Sequence, residues 1–223
     1  MVQLLLLLAA DPAALIVLGD RQASAAPARV GFTHTGGGNI AVEQPAPDTL
    51  VITMAGVAVA GPHPCKDSSA ALLFDLAQDI EVKLPDGKKK ARLTLEARLV
   101  GLLRSHKHGS AGIHCPASAS IHAGAVPLIE VGLRGRAVAA GENLSVNDRQ
   151  GPAGVVVGAG TYALRQKFGV QASHPKGLFG KTASAEFAPD PALDPLWISA
   201  WEPFRGAGKK EFGFQATLKV AAE

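Results

Sequence analysis

The sequence predicts an all-β fold, an antiparallel β-sandwich or barrel-like domain with many short strands and at most one or two short helices. Three observations carry this expectation. Apolar and polar residues alternate through most of the chain, the pattern of strands with one face buried. The 25 glycines and 15 prolines are scattered without a period, as they are in turns between short strands. Aromatic residues make up only 5% of a chain that is 47% hydrophobic, so the core has to be built from Ala, Val, Leu and Ile.

The clearest alternation is Ala91-Arg92-Leu93-Thr94-Leu95-Glu96-Ala97-Arg98-Leu99, apolar on one face and polar on the other. Asp79 to Leu84 alternates in the same way. Between them stands Pro85-Asp86-Gly87. Proline presets a turn and Asp-Gly tolerates the positive φ of a tight hairpin, so these two runs are expected to pair as a hairpin. Earlier strands are expected over Arg29–His34, Ile40–Glu43 and Thr49–Ala60. Later ones fall over Ser118–His122, Val126–Leu133, Arg136–Ala140, Leu144–Asn147, Gly154–Val157 and Thr161–Ala172. The last three are Ala183–Ala188, Leu196–Trp201 and Phe212–Val220. Asp67-Ser68-Ser69 has the side chains of a helix N-cap, which allows a short helix over Ala70–Ala77.

The first residues read as an export leader. Val2 to Ala10 is apolar apart from Gln3, Ala13 to Leu18 is apolar again, and Ala23-Ser24-Ala25 offers small residues where a signal peptidase needs them. On this reading residues 1–25 are a signal peptide and 26–223 a single domain that works outside the cytoplasm. Cleavage after Ala10 is the second position. The competing reading is an N-terminal strand or helix buried in the fold. Neither run reaches the ~20 apolar residues of a membrane span, and a mid-span charge such as Asp11 costs roughly 2.5–3.5 kcal/mol, so no stable span is expected once the leader is gone. The sequence names no partner and no oligomeric state.

Two cysteines are present. In an oxidising compartment an even count predicts a bridge, here Cys65–Cys115, which would stabilise the fold by about 4 kcal/mol on a chain-entropy estimate. Such a bridge would also bring His63 beside His114 and could gather His106 and His108 with them. His106 and His108 share a face if they lie on a strand. Neutral imidazoles suit zinc or copper, so His63, His106, His108 and His114 are candidate metal ligands, though Arg104 and Lys107 repel a cation there. Trp197 and Trp201, four apart, could stack on sugar rings as a carbohydrate-binding pair; burial beside Phe204, Phe212 and Phe214 is the alternative.

Other chemistry is disfavoured. Gly180-Lys181-Thr182 resembles the end of a phosphate loop, yet Pro175 stands where that motif needs glycine. No G-x-S-x-G nucleophile elbow occurs, because His108 replaces its first glycine. The formal charge is +3, rising to +4 when Asp11, Asp20 and Arg21 leave with the leader. Its lysines lie in small clusters, without the dense stripe that nucleic acid demands. The sequence therefore points to an exported, non-enzymatic binding or structural protein with no catalytic residues and no resident cofactor. A zinc or copper protein is the first alternative, and a carbohydrate-binding module the second.

Overall fold

The computed structural model describes residues 14–30, 33–105, 109–139, 141–177, 183–187 and 213–223; the side chains of residues 29, 33–38 and 114 are not among those described. All regular structure among them is β, in two antiparallel sheets. The first sheet runs β1 (Leu15–Val30), β4 (Ser68–Lys83), β10 (Gly160–His174), β6 (Ser110–Ala123), and then β7 (Val126–Leu133) with β8 (Ala137–Ala139). β7 and β8 both lie along β6, and Ile113 N–H donates to Arg136 O (2.8 Å) between them. Together they are one edge strand, interrupted at residues 134–136.

The second sheet holds β2 (Thr33–Ala46), β3 (Thr49–Ala60), β5 (Ala91–Arg104) and β9 (Asn143–Val157). β11 (Ala183–Glu186) and β12 (Gly213–Ala222) occupy the slot between β3 and β5, at opposite ends of it. Glu186 pairs with Val57 and Leu102, and Phe187 N–H donates to Gly56 O (2.9 Å). The next residue in register on β5 is Gly213, opposite Val100, and Phe214 pairs with Met54. β11 and β12 are therefore two halves of one strand, separated in sequence by residues 188–212.

Strand alternation places the core between the sheets. Along β4 the even residues Ala70, Leu72, Phe74, Leu76, Ile80 and Val82 are buried, while Leu73, Asp75 and Glu81 face out. This corrects the helix expected over Ala70–Ala77. Its apolar residues follow period two, a pattern obscured by Leu73, which is 42% exposed on the outer face. The expected hairpin is also corrected. The turn forms, with Gly87 at φ +82° and Lys88 N–H donating to Pro85 O (3.1 Å). β4 and β5 nevertheless enter different sheets, so Ile80 and Leu93 join one core from opposite sides instead of sharing a ladder.

Phe168 is at the centre of that core. Its ring stacks on Phe74 (centroids 5.8 Å, 10°), meets Phe187 edge-on (5.2 Å, 76°) and tilts against Phe214 (5.8 Å). Phe74 and Phe168 come from the first sheet; Phe187 and Phe214 flank the break between β11 and β12. Two glycines make room for the rings. A Cβ on Gly56 would collide with Leu72 Cδ2 and come within 2.8 Å of Phe74, and one on Gly101 would collide with Phe187.

Polar side chains tie the sheets together at their margins. Arg136 forks onto Asp148 (2.9 and 3.0 Å), and Gln150 accepts from Gly132 N–H (2.7 Å), joining the β7–β8 edge to β9. At the other margin Ile16 N–H donates to Pro47 O (2.8 Å) and Gln44 Nε2 to Ile16 O (2.7 Å). Residues 15–25, assigned above to the leader, stand in β1, where Ile16 is buried and Ala25 packs on the core. The register of β1 shifts between Leu18 and Arg21. The carbonyls of Gly19 and Asp20, within this irregularity, are taken up by buried Gln78 Nε2 (3.1 and 3.3 Å).

Truncating the central ring should be costly. Phe168→Ala is expected to lower unfolding free energy by about 3–5 kcal/mol, and Gly101→Ala by about 1–3 kcal/mol through overpacking. Urea unfolding of both variants checks this; a loss below 1 kcal/mol for Phe168→Ala would remove the ring from the centre of the fold.

Candidate functional site

Of the polar groups singled out by sequence, His63 and Cys65 lie at one end of the sandwich, among other polar side chains. There the connection from β3 to β4 (residues 61–67) meets the chain leaving β10. Gly177 N–H donates to His63 O (2.8 Å) and Lys176 N–H to Asp67 Oδ1 (2.8 Å). Ser105 N–H donates to Glu142 O (2.8 Å), and Ser105 Oγ donates to Gly109 O. The hydroxyls of Ser110 and Ser173 share a hydrogen bond of 2.7 Å. His174, buried at the end of β10, donates from Nδ1 to Pro175 O (2.7 Å).

The disulfide is not formed: Cys65 is exposed, Cys115 half-buried, and both are free thiols. The register explains why. Cys115 lies opposite Gly169, five residues short of His174, whereas Cys65 sits in the 61–67 connection beyond that end of the sheet. At about 3.3 Å per residue the offset along the strand is roughly 17 Å, far beyond the 7 Å that a bridge between Cα atoms tolerates. His114 is held away from His63 by the same offset.

His63 is committed locally. Its Nδ1 accepts from Cys65 N–H (3.1 Å), which uses one ring lone pair and leaves Nε2 as the protonated nitrogen of the neutral ring. Metal binding at Nε2 would require that bond to break. His106 and His108 lie outside the described residues, as do the side chain of His114 and both Trp197 and Trp201. Among the described residues no group of three or more His, Cys, Asp or Glu side chains is placed to hold a metal ion, and no helix is long and apolar enough to cross a membrane.

The most unusual ionisable group is one the sequence did not flag. Glu186 on β11 is 0% exposed. Strand alternation sends Ala185 and Phe187 into the core, so Glu186 points to the outer face of the second sheet, alongside Ser184. Ser184 Oγ donates to Glu186 Oε1 (2.5 Å), Arg104 Nε stands 3.7 Å from the same oxygen, and Oε2 has no hydrogen-bond partner. Burial raises its carboxyl above the ordinary glutamate value of 4.5, opposed by the Ser184 hydrogen bond and the Arg104 charge. The desolvation cost of a buried carboxylate exceeds what these two partners return. The only sequence signal was an acid among small and apolar residues, Ala183-Ser184-Ala185-Glu186-Phe187. On the first sheet, burial and Arg165 hold His122 below its usual range, while Ser120 shares a hydrogen bond with its Nε2 (2.9 Å).

Comparison with known proteins finds no family profile, no curated protein and no solved structure that matches this chain.

Two outcomes follow. Because both thiols are free, Ellman's reagent should titrate two per folded and unfolded chain alike, and reductant should leave the melting temperature unchanged; a reductant-sensitive melt would restore the bridge. For Glu186, the folded chain keeps a proton that the unfolded chain releases. Its contribution to stability therefore falls as pH rises from the ordinary glutamate range through the raised folded value, and is constant above it. Glu186→Gln should accordingly gain on the parent between acid and neutral pH in urea titrations. A difference that is flat with pH would show the carboxyl to be ordinary.

Proposed function

We propose that this chain is an exported binding or structural domain without catalytic machinery, built as a rigid β-scaffold. The observation that carries this is the use made of its polar side chains. Gln44, Arg136, Asp148 and Gln150 join the margins of the two sheets. Gln78 takes up the carbonyls where β1 shifts register. Gln166, wholly buried on β10, reaches across the core to Phe214 O (3.3 Å). These side chains are spent on the backbone or, for Arg136 and Asp148, on each other.

Export is supported by the apolar run Val2–Ala10 and the small residue that ends it. Of the two cleavage positions, the one after Ala10 leaves β1 whole, and the one after Ala25 leaves only Ala26–Val30 of it against β4. We favour the shorter leader, because a β4 edge stripped over most of its length would bare its backbone donors and acceptors.

Mass spectrometry of the protein recovered from the periplasm or medium of a bacterial host tests both parts. An N-terminus at Asp11 is the expected result. An N-terminus at Ala26 would overturn the short leader while keeping export, and an intact chain confined to the cytoplasm would overturn export. Elemental analysis of the same sample tests the absence of chemistry: stoichiometric zinc or copper that disappears in a His106→Ala/His108→Ala double variant would replace this reading with a metalloprotein.

A further inference from the structure

The outer face of the second sheet divides into two unlike halves. Its rows of paired residues can be followed across β3, the shared slot and β5. The row Thr53–Gln215–Arg98 is polar and the row Val51–Thr217–Glu96 is polar apart from Val51, and both are half-open. From the next row the character changes. Val100 lies beside Gly213, Val57 and Leu102 flank Glu186, and Val59 flanks Ser184. These four apolar residues project away from the core, since Met54, Ala58, Leu99 and Leu103 on the same strands fill it. They are buried all the same, from 0% exposed at Val57 to 6% at Val59 and Leu102. The change falls at the row where the chain leaves β11 and re-enters as β12.

We propose that this outward patch of Val57, Val59, Val100 and Leu102 is the docking floor for the chain's own residues 188–212. Three things single out that occupant. Its two ends are fixed at the patch, at Phe187 and Gly213, in neighbouring register positions of one slot. Its length is ample for a return path over four residues of sheet: the segment has twenty-five residues. Its composition needs burial, because it carries both tryptophans of the chain, Trp197 and Trp201, with Leu193, Leu196, Ile198 and Phe204. Apolar surface on the outside of a sheet and an apolar segment tethered at both sides of it lower each other's exposure, and the tether makes the encounter intramolecular. The proposal does not depend on export.

It assigns the tryptophans a structural role in place of a sugar platform, and intrinsic fluorescence tests it directly, since every tryptophan in the chain belongs to the segment. In the folded full-length protein the emission should be blue-shifted relative to the urea-unfolded chain and protected from acrylamide. Leu102→Asp should move the emission to the red and raise quenching, while Thr94→Asp, outward on the same strand but off the patch, should change neither. Should Leu102→Asp fail to unfold cooperatively, Leu102→Ala and Val59→Ala replace it, each expected to raise quenching in part. Native emission equal to that of the unfolded chain would overturn the proposal, and so would blue-shifted emission that none of the patch variants alters. Protection that is lost on dilution would place the patch against a second copy instead. Protection that appears only when oligosaccharide is added would return the tryptophans to sugar binding. Both results overturn the proposal.

Discussion

The contact on which this fold turns is the meeting of four phenylalanine rings around Phe168. A core assembled from Ala, Val, Leu and Ile has few large pieces to set the spacing between sheets, and these rings set it. Each sheet supplies two of them. Gly56 on the second sheet is a recess for Phe74 of the first, and Gly101 makes room for Phe187 on the neighbouring strand of its own sheet, so the rings fix the lateral position of the sheets as well as their separation. A methyl group at either glycine would occupy space that an aromatic edge already fills. The same rings bracket the break in the central strand, with Phe187 on one side and Phe214 on the other. The sheet therefore keeps its register across a point where the covalent chain is absent. Aromatic pairs of this geometry contribute about 0.5–1.5 kcal/mol each beyond their buried area, enough to matter in a domain whose net stability is a small difference of large terms.

Much of the architecture was legible in residue alternation. Ala91–Leu99 is a half-buried strand, the segments from Thr49 and from Thr161 form long strands, and Pro85-Asp86-Gly87 turns the chain. Alternation reports which face of a strand is apolar, and only that. It cannot separate two strands that share a ladder from two that face each other across a core, because both send every second side chain inward. That is why Ile80 and Leu93 suggested a hairpin and proved to come from opposite sheets. Over Ala70–Ala77 the period was hidden by one leucine on the wrong side and by alanines that suit either face. The Cys65–Cys115 expectation failed for a different reason: parity of a count carries no distance, and the strand register sets the two thiols far apart.

Less of the candidate site was legible. Glu186 carried no motif, and its burial arises from where β11 lies in the middle of a sheet. A strand of four residues is too short to display its period, so Ser184 and Glu186 could not be assigned to an outward face. The valines at positions 57, 59 and 100 and Leu102 blurred the alternation of β3 and β5 at their ends. In retrospect that blurring was information. A strand that becomes apolar on both faces over its last turns of pleat is covered on both sides there.

The order in which strands enter the two sheets has a kinetic consequence. Only the β2–β3 and β6–β7 links join hydrogen-bonded neighbours in sequence. Apart from residues 134–136, between β7 and β8 on one edge, and residues 188–212, between the two halves of one slot, the remaining connections carry the chain over to the opposite sheet. Most native pairings thus unite residues distant along the polypeptide, and the entropy of closing those loops must be overcome before any ladder rewards it. Such a topology belongs among slow folders, and its unpaired edges stay open longest while the nascent domain searches for its partners.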